Sequence, residues 1–169
     1  DGLKPEVFRE IGCRMRSLDT NNLSESCLNV IPDIISDSFH HLKLLMLNLT
    51  EENIYIVWNM LAKCEDFGNI ELALMPKCLP NLHNYTEIIR PVIDFMNDLV
   101  VKHVSVYGYL STIYSVNITN LFRNPHITKI SLFRIKAICD IDVMLDNTSI
   151  IDINSSNEEG DIPRIRDHV

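Results

Sequence analysis

Four stretches of the chain share one pattern of apolar and polar positions and align without gaps. Each carries an aliphatic residue at its fourth position: Leu42, Ile70, Val101 and Ile127. These positions recur at a nearly constant period of about 28 residues, within the range of known repeat units. A weaker copy, residues 10–19, precedes the first, and another begins near Thr148. A pattern that recurs at such a period predicts five to six stacked copies of one structural unit.

Each copy contains a short segment in which apolar and polar residues alternate, which predicts a β-strand with one buried face. The alternation is clearest in residues 102–107 and 128–133. The side chains expected to point into the core are Val104, Val106, Ile130 and Leu132. Those expected on the opposite face are His103, Ser105, Tyr107, Lys129, Ser131 and Phe133.

Between the predicted strands the apolar period becomes that of a helix. Residues 24–37 predict a helix interrupted by Pro32. Residues 50–63 predict a helix with Thr50 as N-cap and an apolar stripe that includes Trp58. Residues 86–99 repeat this plan behind Thr86, with Pro91 inside, and residues 111–122 predict a shorter helical segment. The chain therefore alternates strand and helix, which is typical of a β/α solenoid.

The repeats resemble leucine-rich repeats of the ribonuclease-inhibitor type, whose unit reads L-x-x-L-x-L-x-x-(N/C)-x-L before a helix. The matching apolar triplets are Leu42, Leu45 and Leu47; Ile70, Ala73 and Met75; Val101, Val104 and Val106; and Ile127, Ile130 and Leu132. Cys78 falls on the Asn/Cys position of its copy. In that copy, Leu72 and Leu74 fit the inward face equally well, so its facing stays open.

This resemblance implies an α/β fold, a leucine-rich-repeat-like β/α solenoid with parallel strands on a concave face and helices on a convex face. Residues 1–153 would form one solenoid domain of five to six repeats, and residues 154–169 a C-terminal cap or tail. Because the first residue is Asp1 and repeats usually continue into neighbouring ones, we expect a fragment of a larger chain or complex.

The composition narrows the class of partner. Of the 169 residues, 46% are hydrophobic and 22% are charged, which is typical of an ordered globular domain. The net charge of −8 argues against a nucleic-acid partner, which would require a basic surface. No apolar run approaches the ~18 residues of a membrane span, so we expect no membrane insertion.

The reactive residue types form no recognisable catalytic or metal-binding motif. The five cysteines contain no CxxC pair, and their odd number fits reduced, buried thiols: Cys13, Cys27, Cys64, Cys78 and Cys139. The histidines at 40, 41 and 83 have no ligand spacing to these cysteines, and Cys139 has no predicted base. We therefore expect no catalytic residue, no metal and no cofactor.

Apolar residues on the outward face give the functional hypothesis. The concave sheet would present Leu44, Met46, Tyr107 and Phe133, with Asn48, His103, Ser105, Lys129 and Ser131 beside them, as a partner-binding surface. An alternative is that a segment of the same chain, such as the tail, covers this face. The acidic charge favours a partner protein with a basic segment. The resemblance further implies substrate recognition for a ubiquitin ligase, as in F-box leucine-rich repeat proteins, in the cytoplasm or nucleus.

The sequons suggest a second hypothesis. Six N-x-S/T sequons occur, and the candidate glycosylation sites are Asn48, Asn84, Asn117 and Asn147. They would make the chain a secreted or cell-surface glycoprotein that binds a ligand or receptor. Turn chemistry offers another explanation, since Asn48 and Asn84 each precede a threonine that is a predicted helix N-cap.

Overall fold

The computed structural model describes residues 2–37, 41–77, 85–108 and 114–156. It contains eight strands in this part of the chain: β1 (Ser17–Asp19), β2 (Leu44–Leu49), β3 (Glu71–Pro76), β4 (His103–Tyr107), β5 (Tyr114–Asn117), β6 (Lys129–Phe133), β7 (Ile135–Ile138) and β8 (Asp152–Ser156). Seven α-helices accompany them: α1 (Pro5–Gly12), α2 (Glu25–Leu28), α3 (Ile31–Asp37), α4 (Ile54–Ala62), α5 (Tyr85–Phe95), α6 (Thr119–Arg123) and α7 (Ile141–Asp146). A 3-10 turn, Met96–Asp98, extends α5.

Six of the strands form one parallel sheet in the order β1-β2-β3-β4-β6-β8. Strands β5 and β7 pair with each other in a second, two-stranded parallel sheet. The predicted α/β class with parallel strands is confirmed. The strand order of the large sheet follows the order of these strands along the chain.

The face of the large sheet that packs against the helices is continuously apolar. The register places Leu45, Leu72, Val104 and Ile130 in one row across four strands. The next row contains Leu47, Leu74, Val106 and Leu132. All eight side chains are buried in one core cluster that includes helical residues such as Val57 and Ile89. The open question of the third copy is thereby answered: Leu72 and Leu74 face the core, whereas Ala73 and Met75 lie on the opposite face.

The first copy is shifted from its sequence alignment. The alignment places Leu18 opposite Leu47, but the structure pairs Leu18 with Leu45. This shift keeps Leu18 buried and leaves Arg16 exposed, so no charge enters the core. A strand, β8, lies where the pattern begins again near Thr148, and it crosses the predicted boundary at residue 154.

Ser24, Thr50 and Thr86, at which the three longer predicted helices begin, have different roles in the structure. Ser24 caps α2, and its hydroxyl accepts a hydrogen bond from the Cys27 amide at 3.3 Å. Thr50 instead forms a reciprocal turn before α4: its Oγ1 accepts from the Asn53 amide at 3.1 Å, and Asn53 Oδ1 accepts from the Thr50 amide at 2.8 Å. Thr86 lies inside α5 and is not its cap.

The helix predicted over residues 111–122 is wrong for residues 114–117, which form β5. Among the described residues of this segment, only 119–122 are helical, in α6. Strand β5 forms because residues 135–138 provide a parallel partner strand, a pairing that no local period indicates. Pro32 separates α2 from α3 as expected and occupies the second position of α3, where its missing amide proton costs little. Pro91 lies inside α5, which begins before it, at Tyr85.

Asparagines connect the ends of neighbouring helices. Asn124, the fully buried C-cap of α6, donates from Nδ2 to the Met96 carbonyl and, at 2.7 Å, to the Leu99 carbonyl. Asn147, the C-cap of α7, donates to the Phe122 carbonyl at 2.7 Å. Each amide donates to carbonyls at the end of the preceding helix or helical turn, so these side chains link the ends of neighbouring helices.

Candidate functional site

The face of the large sheet opposite the helices carries all nine residues that the sequence analysis assigned to partner binding. We call it the open face. Its first row runs across five strands through Leu44, Glu71, His103, Lys129 and Asp152. Its second row contains Met46, Ala73, Ser105, Ser131 and Asn154. Asn48 lies opposite Met75, and Tyr107 lies opposite Phe133. The register therefore brings these side chains together on one surface.

Position on this face does not mean exposure. Asn48, Ser105 and Ser131 are no more than 5% exposed, so the expectation that they form accessible contacts is wrong. The remaining six predicted residues are half-buried. The short serine side chains are buried because longer neighbours on adjacent strands extend over them. The accessible part of the open face consists of its larger side chains.

Two aromatic rings form the largest apolar feature of the open face. Tyr107 and Phe133 are direct cross-strand neighbours, with ring centroids 4.3 Å apart and ring planes inclined by 12°. Stacking of this kind adds to the stability of a cross-strand pair and holds both rings upright on the sheet. Burial, and the negative charge of Glu71, raise the pKa of the Tyr107 hydroxyl. The ring pair is thus a rigid, partly exposed apolar platform beside a polar region.

A network of four polar side chains adjoins the ring pair. His103 Nδ1 lies 3.4 Å from Glu71 Oε2, and His103 Nε2 lies 2.9 Å from Ser131 Oγ. The Ser105 hydroxyl donates to Glu71 Oε1 and lies 3.4 Å from His103 Nε2. In the same row, Lys129 Nζ lies 3.8 Å from Asp152 Oδ2. Every polar group of the network has a partner within it, as partly buried polar groups require.

The order Glu71, His103, Ser131 is the arrangement of acid, base and nucleophile found in hydrolases. Ser131, however, lies in the middle of β6, between β4 and β8. The backbone amides of a central strand point along the sheet to neighbouring strands and not to the space above its face. Donors for a developing oxyanion are therefore absent near Ser131 Oγ among the described backbone groups. Ser131 is 5% exposed, and its hydroxyl takes part in the hydrogen-bond network with His103.

The pKa of His103 is lowered, chiefly because burial disfavours its charged form. Lys129 lowers it further, whereas Glu71 and Asp152 oppose the shift. A lowered pKa keeps the ring neutral near pH 7, so that one ring nitrogen donates a hydrogen bond and the other accepts one. The net charge of the open face near neutral pH therefore comes from its carboxylates and Lys129.

We expect the stability of the domain to depend on pH through His103. Because its folded-state pKa lies below the unfolded value of about 6.5, the unfolded chain binds a proton first as the pH falls, and stability is lost from that pH down to the folded pKa. Urea unfolding from pH 7.5 to 5 should show a steeper loss for the wild type than for His103→Gln, by up to ~1.4 kcal/mol per pH unit. Parallel curves for the two proteins would contradict this assignment.

Glu71 and Asp152 belong to the site, but the sequence analysis did not assign them to it. Glu71 was missed because the sequence does not decide which residues of β3 face the core. Had Leu72 and Leu74 been assigned to the core, the alternation along the strand would have placed Glu71 on the open face. Asp152 was missed because the pattern near Thr148 does not show which residues of the last strand face outward. Asp19 also lies on this face, opposite Met46. Because His103 is neutral, Lys129 is the one cation in the rows described above, and the three carboxylates Asp19, Glu71 and Asp152 outnumber it. The open face is therefore acidic.

The candidate glycosylation sites differ in how the fold uses them. Asn48 is buried and donates from Nδ2, the atom a sugar would occupy, to Asp19. Asn147 uses Nδ2 to hold the end of α6. Asn117 is exposed, with its Oδ1 accepting from the Thr119 amide at 3.0 Å, and Asn84 lies outside the described residues. A structural hydrogen bond thus explains the asparagine at two of the four candidate glycosylation sites, Asn48 and Asn147.

The four cysteines of the described residues form no disulfide, and two of them are buried: Cys27 and Cys64. Burial raises the pKa of Cys64 to about 12, so this thiol is unreactive near neutral pH. Cys78 lies outside the described residues, as do the histidines at 40 and 83. Within the described ranges, no three His, Cys, Asp or Glu side chains are grouped as a metal ion would need, and none of the helices there is long and apolar enough to span a bilayer.

Comparison with known proteins identifies no relative. The chain matches no protein-family model, no curated protein and no solved structure.

Proposed function

We propose that the parallel α/β fold is a leucine-rich-repeat-like solenoid. The support is the sheet itself: core-facing residues on adjacent strands, such as Leu45, Leu72 and Val104, recur at a period of roughly 30 residues, which is typical of solenoid repeats. A helix or helical turn follows most strands, and the strand order follows the chain. In such a solenoid the strands line the face that recognises partners.

On this fold we propose a non-enzymatic protein-recognition module that binds its partner through the open face. The observation that carries this proposal is the stacked, half-exposed pair of Tyr107 and Phe133 at the carboxyl ends of β4 and β6, on an acidic sheet surface. Rigid aromatic side chains lose little entropy on binding and supply most of the energy at interface centres. The ring pair would bury apolar side chains of the partner.

The partner is expected to carry a basic segment. Asp19, Glu71 and Asp152 outnumber Lys129 on the open face, and the chain as a whole has a net charge of −8. Complementary charge accelerates encounter and excludes acidic competitors. The resemblance to F-box leucine-rich repeat proteins makes substrate recognition for a ubiquitin ligase, in the cytoplasm or nucleus, the specific form of this proposal.

The test is capture of binding proteins from cell extract, read by mass spectrometry, with wild type and Tyr107→Ala/Phe133→Ala. We expect specific partners to be reduced at least ~10-fold on the variant, since each lost anchor costs about 2 kcal/mol at an interface centre. Those partners should be enriched in basic segments and should bind less at high salt.

The matched control is Ile141→Ala/Leu145→Ala, which removes two exposed apolar side chains of α7, 66% and 61% exposed, away from the open face. Circular dichroism must show that both variants are folded. If both variants lose the same proteins, or if Tyr107→Ala/Phe133→Ala loses none, the open face is not the recognition surface.

A further inference from the structure

A groove lies in the helical layer, on the other side of the sheet from the open face. Helix α4 and helix α5 with its 3-10 extension form its walls, and its volume is about 540 Å³. Trp58 and Phe95 line it on the apolar side. Pro91 and four charged residues complete the lining: Glu87, Arg90, Asp94 and Asp98. The groove is therefore part aromatic and part acidic.

The aromatic wall is partly accessible. Trp58 remains 36% exposed, contrary to its place in the predicted apolar stripe of the helix, because Val57, Met60 and Leu61 form the buried side of α4. The Trp58 ring meets Phe95 edge to face, with centroids 5.6 Å apart. The Phe95 contact fixes the indole, and the outer part of the indole faces solvent together with Tyr55, which is 66% exposed and stacked on it at 6.4 Å.

The charges of the groove do not cancel. Arg90 Nε lies 3.6 Å from Asp94 Oδ2, and Asp94 also accepts a hydrogen bond from Asn120 at 3.0 Å. Glu87 and Asp98 are exposed, and neither forms an ion pair with a described residue. With Arg90 and Asp94 neutralising each other, the groove keeps two carboxylates beside an indole.

We propose that this groove binds an arginine side chain of a basic peptide. A guanidinium is planar, stacks on an indole face and pairs with carboxylates through its fixed fork of donors. Trp58 supplies the face, while Glu87 and Asp98 supply the negative charge. An anionic or purely apolar ligand would leave these carboxylates unpaired. The site goes beyond the proposed function, because it lies on the opposite layer and uses none of the residues of the open face.

The single tryptophan of the chain makes the test direct, since all indole fluorescence comes from Trp58. The probe is an acetylated, amidated five-residue peptide in which two arginines alternate with glycines. Its control is the same peptide with citrulline, which keeps the shape of arginine without its charge. We expect a saturable fluorescence change with the arginine peptide, and binding of the citrulline peptide at least ~5-fold weaker, the size expected of a surface cation–π contact with ion pairs.

Variants then separate the groove from general charge attraction. Glu87→Gln/Asp98→Asn should weaken the arginine peptide at least ~3-fold, because the net negative charge of the groove is lost. Glu6→Gln/Asp142→Asn makes the same change of net charge at exposed positions on α1 and α7 and should leave the affinity unchanged. An equal loss in both double variants, equal binding of the citrulline peptide, or no saturable change would overturn the proposal. Tyr107→Ala/Phe133→Ala should titrate as the wild type does, so failure of the open-face function is distinguishable.

Discussion

Ile130→Asp should leave the domain without a cooperative folding transition. Ile130 is fully buried between Val104 and Ile153 in the core-facing row of the sheet. Loss of a buried aliphatic side chain costs about 2–5 kcal/mol, and an unpaired carboxylate buried in its place adds several more. Domains are stable by only about 5–15 kcal/mol in total, so the sum removes most or all of the stability. Circular dichroism with urea titration measures the result.

The matched control is Phe133→Asp, in the same strand and on the open face. Its carboxylate remains in contact with water because Phe133 is half-exposed. The expected cost is the lost ring stacking, about 0.5–1.5 kcal/mol, and a cooperative transition should persist. Val104→Asp and Tyr107→Asp repeat the comparison in β4. If the members of each pair destabilise equally, the assignment of the two sheet faces is wrong.

Asn124→Ala should lower the free energy of unfolding by about 2–4 kcal/mol. Asn124 is fully buried and donates to the Met96 and Leu99 carbonyls, while its Oδ1 accepts from the His126 amide at 2.8 Å. Alanine would remove these three hydrogen bonds, each worth about 0.5–1.5 kcal/mol, while the Met96 and Leu99 carbonyls keep the Leu99 and Val101 amides as partners at 3.4 Å and 3.1 Å. In a thermal melt the midpoint should fall by roughly 10 °C for a chain of this size.

Asn154→Ala is the control for this change, because the same side chain is removed from an exposed position in β8. The Asn154 amide bonds to the neighbouring Asp152 carboxylate at 3.3 Å. Surface changes of this type stay within about 0.5 kcal/mol. A loss of stability at Asn124 no larger than that at Asn154 would show that water replaces the asparagine at the helix ends.

The sequence predicts the sheet best where polar and apolar residues alternate strictly. In β4 and β6 the alternation identifies both faces, and the structure confirms it for Val104 and Ile130. In β3 the run Leu72 to Met75 is apolar throughout, so its facing comes only from pairing with β2 and β4. Tertiary pairing likewise decides β5, since this short segment has no period of its own and its partner strand, β7, lies beyond the intervening α6 and β6.

The polar network of the candidate site is harder to predict from the sequence than the sheet is. Repeat spacing places Tyr107 and Phe133 on one face, but the contact of Glu71, His103 and Ser131 depends on the register of three strands. The copies are unevenly spaced from β3 to β6, so their loops differ in length and spacing alone does not determine which side chains are opposite. The burial of Ser105 and Ser131 has the same origin, because the neighbours that cover them are on other strands.

The strands of the large sheet follow one another in chain order, so each one pairs only with the strands of this sheet that come immediately before and after it along the chain. In the solenoid that we propose, duplication or deletion of one unit in the gene would leave all other strand pairings intact, which a sheet whose strand order doubles back does not permit. Each unit gained would widen the open face by one strand spacing, about 4.8 Å. The number of units is therefore a property that evolution can change one step at a time, and the length of surface available to a partner changes with it.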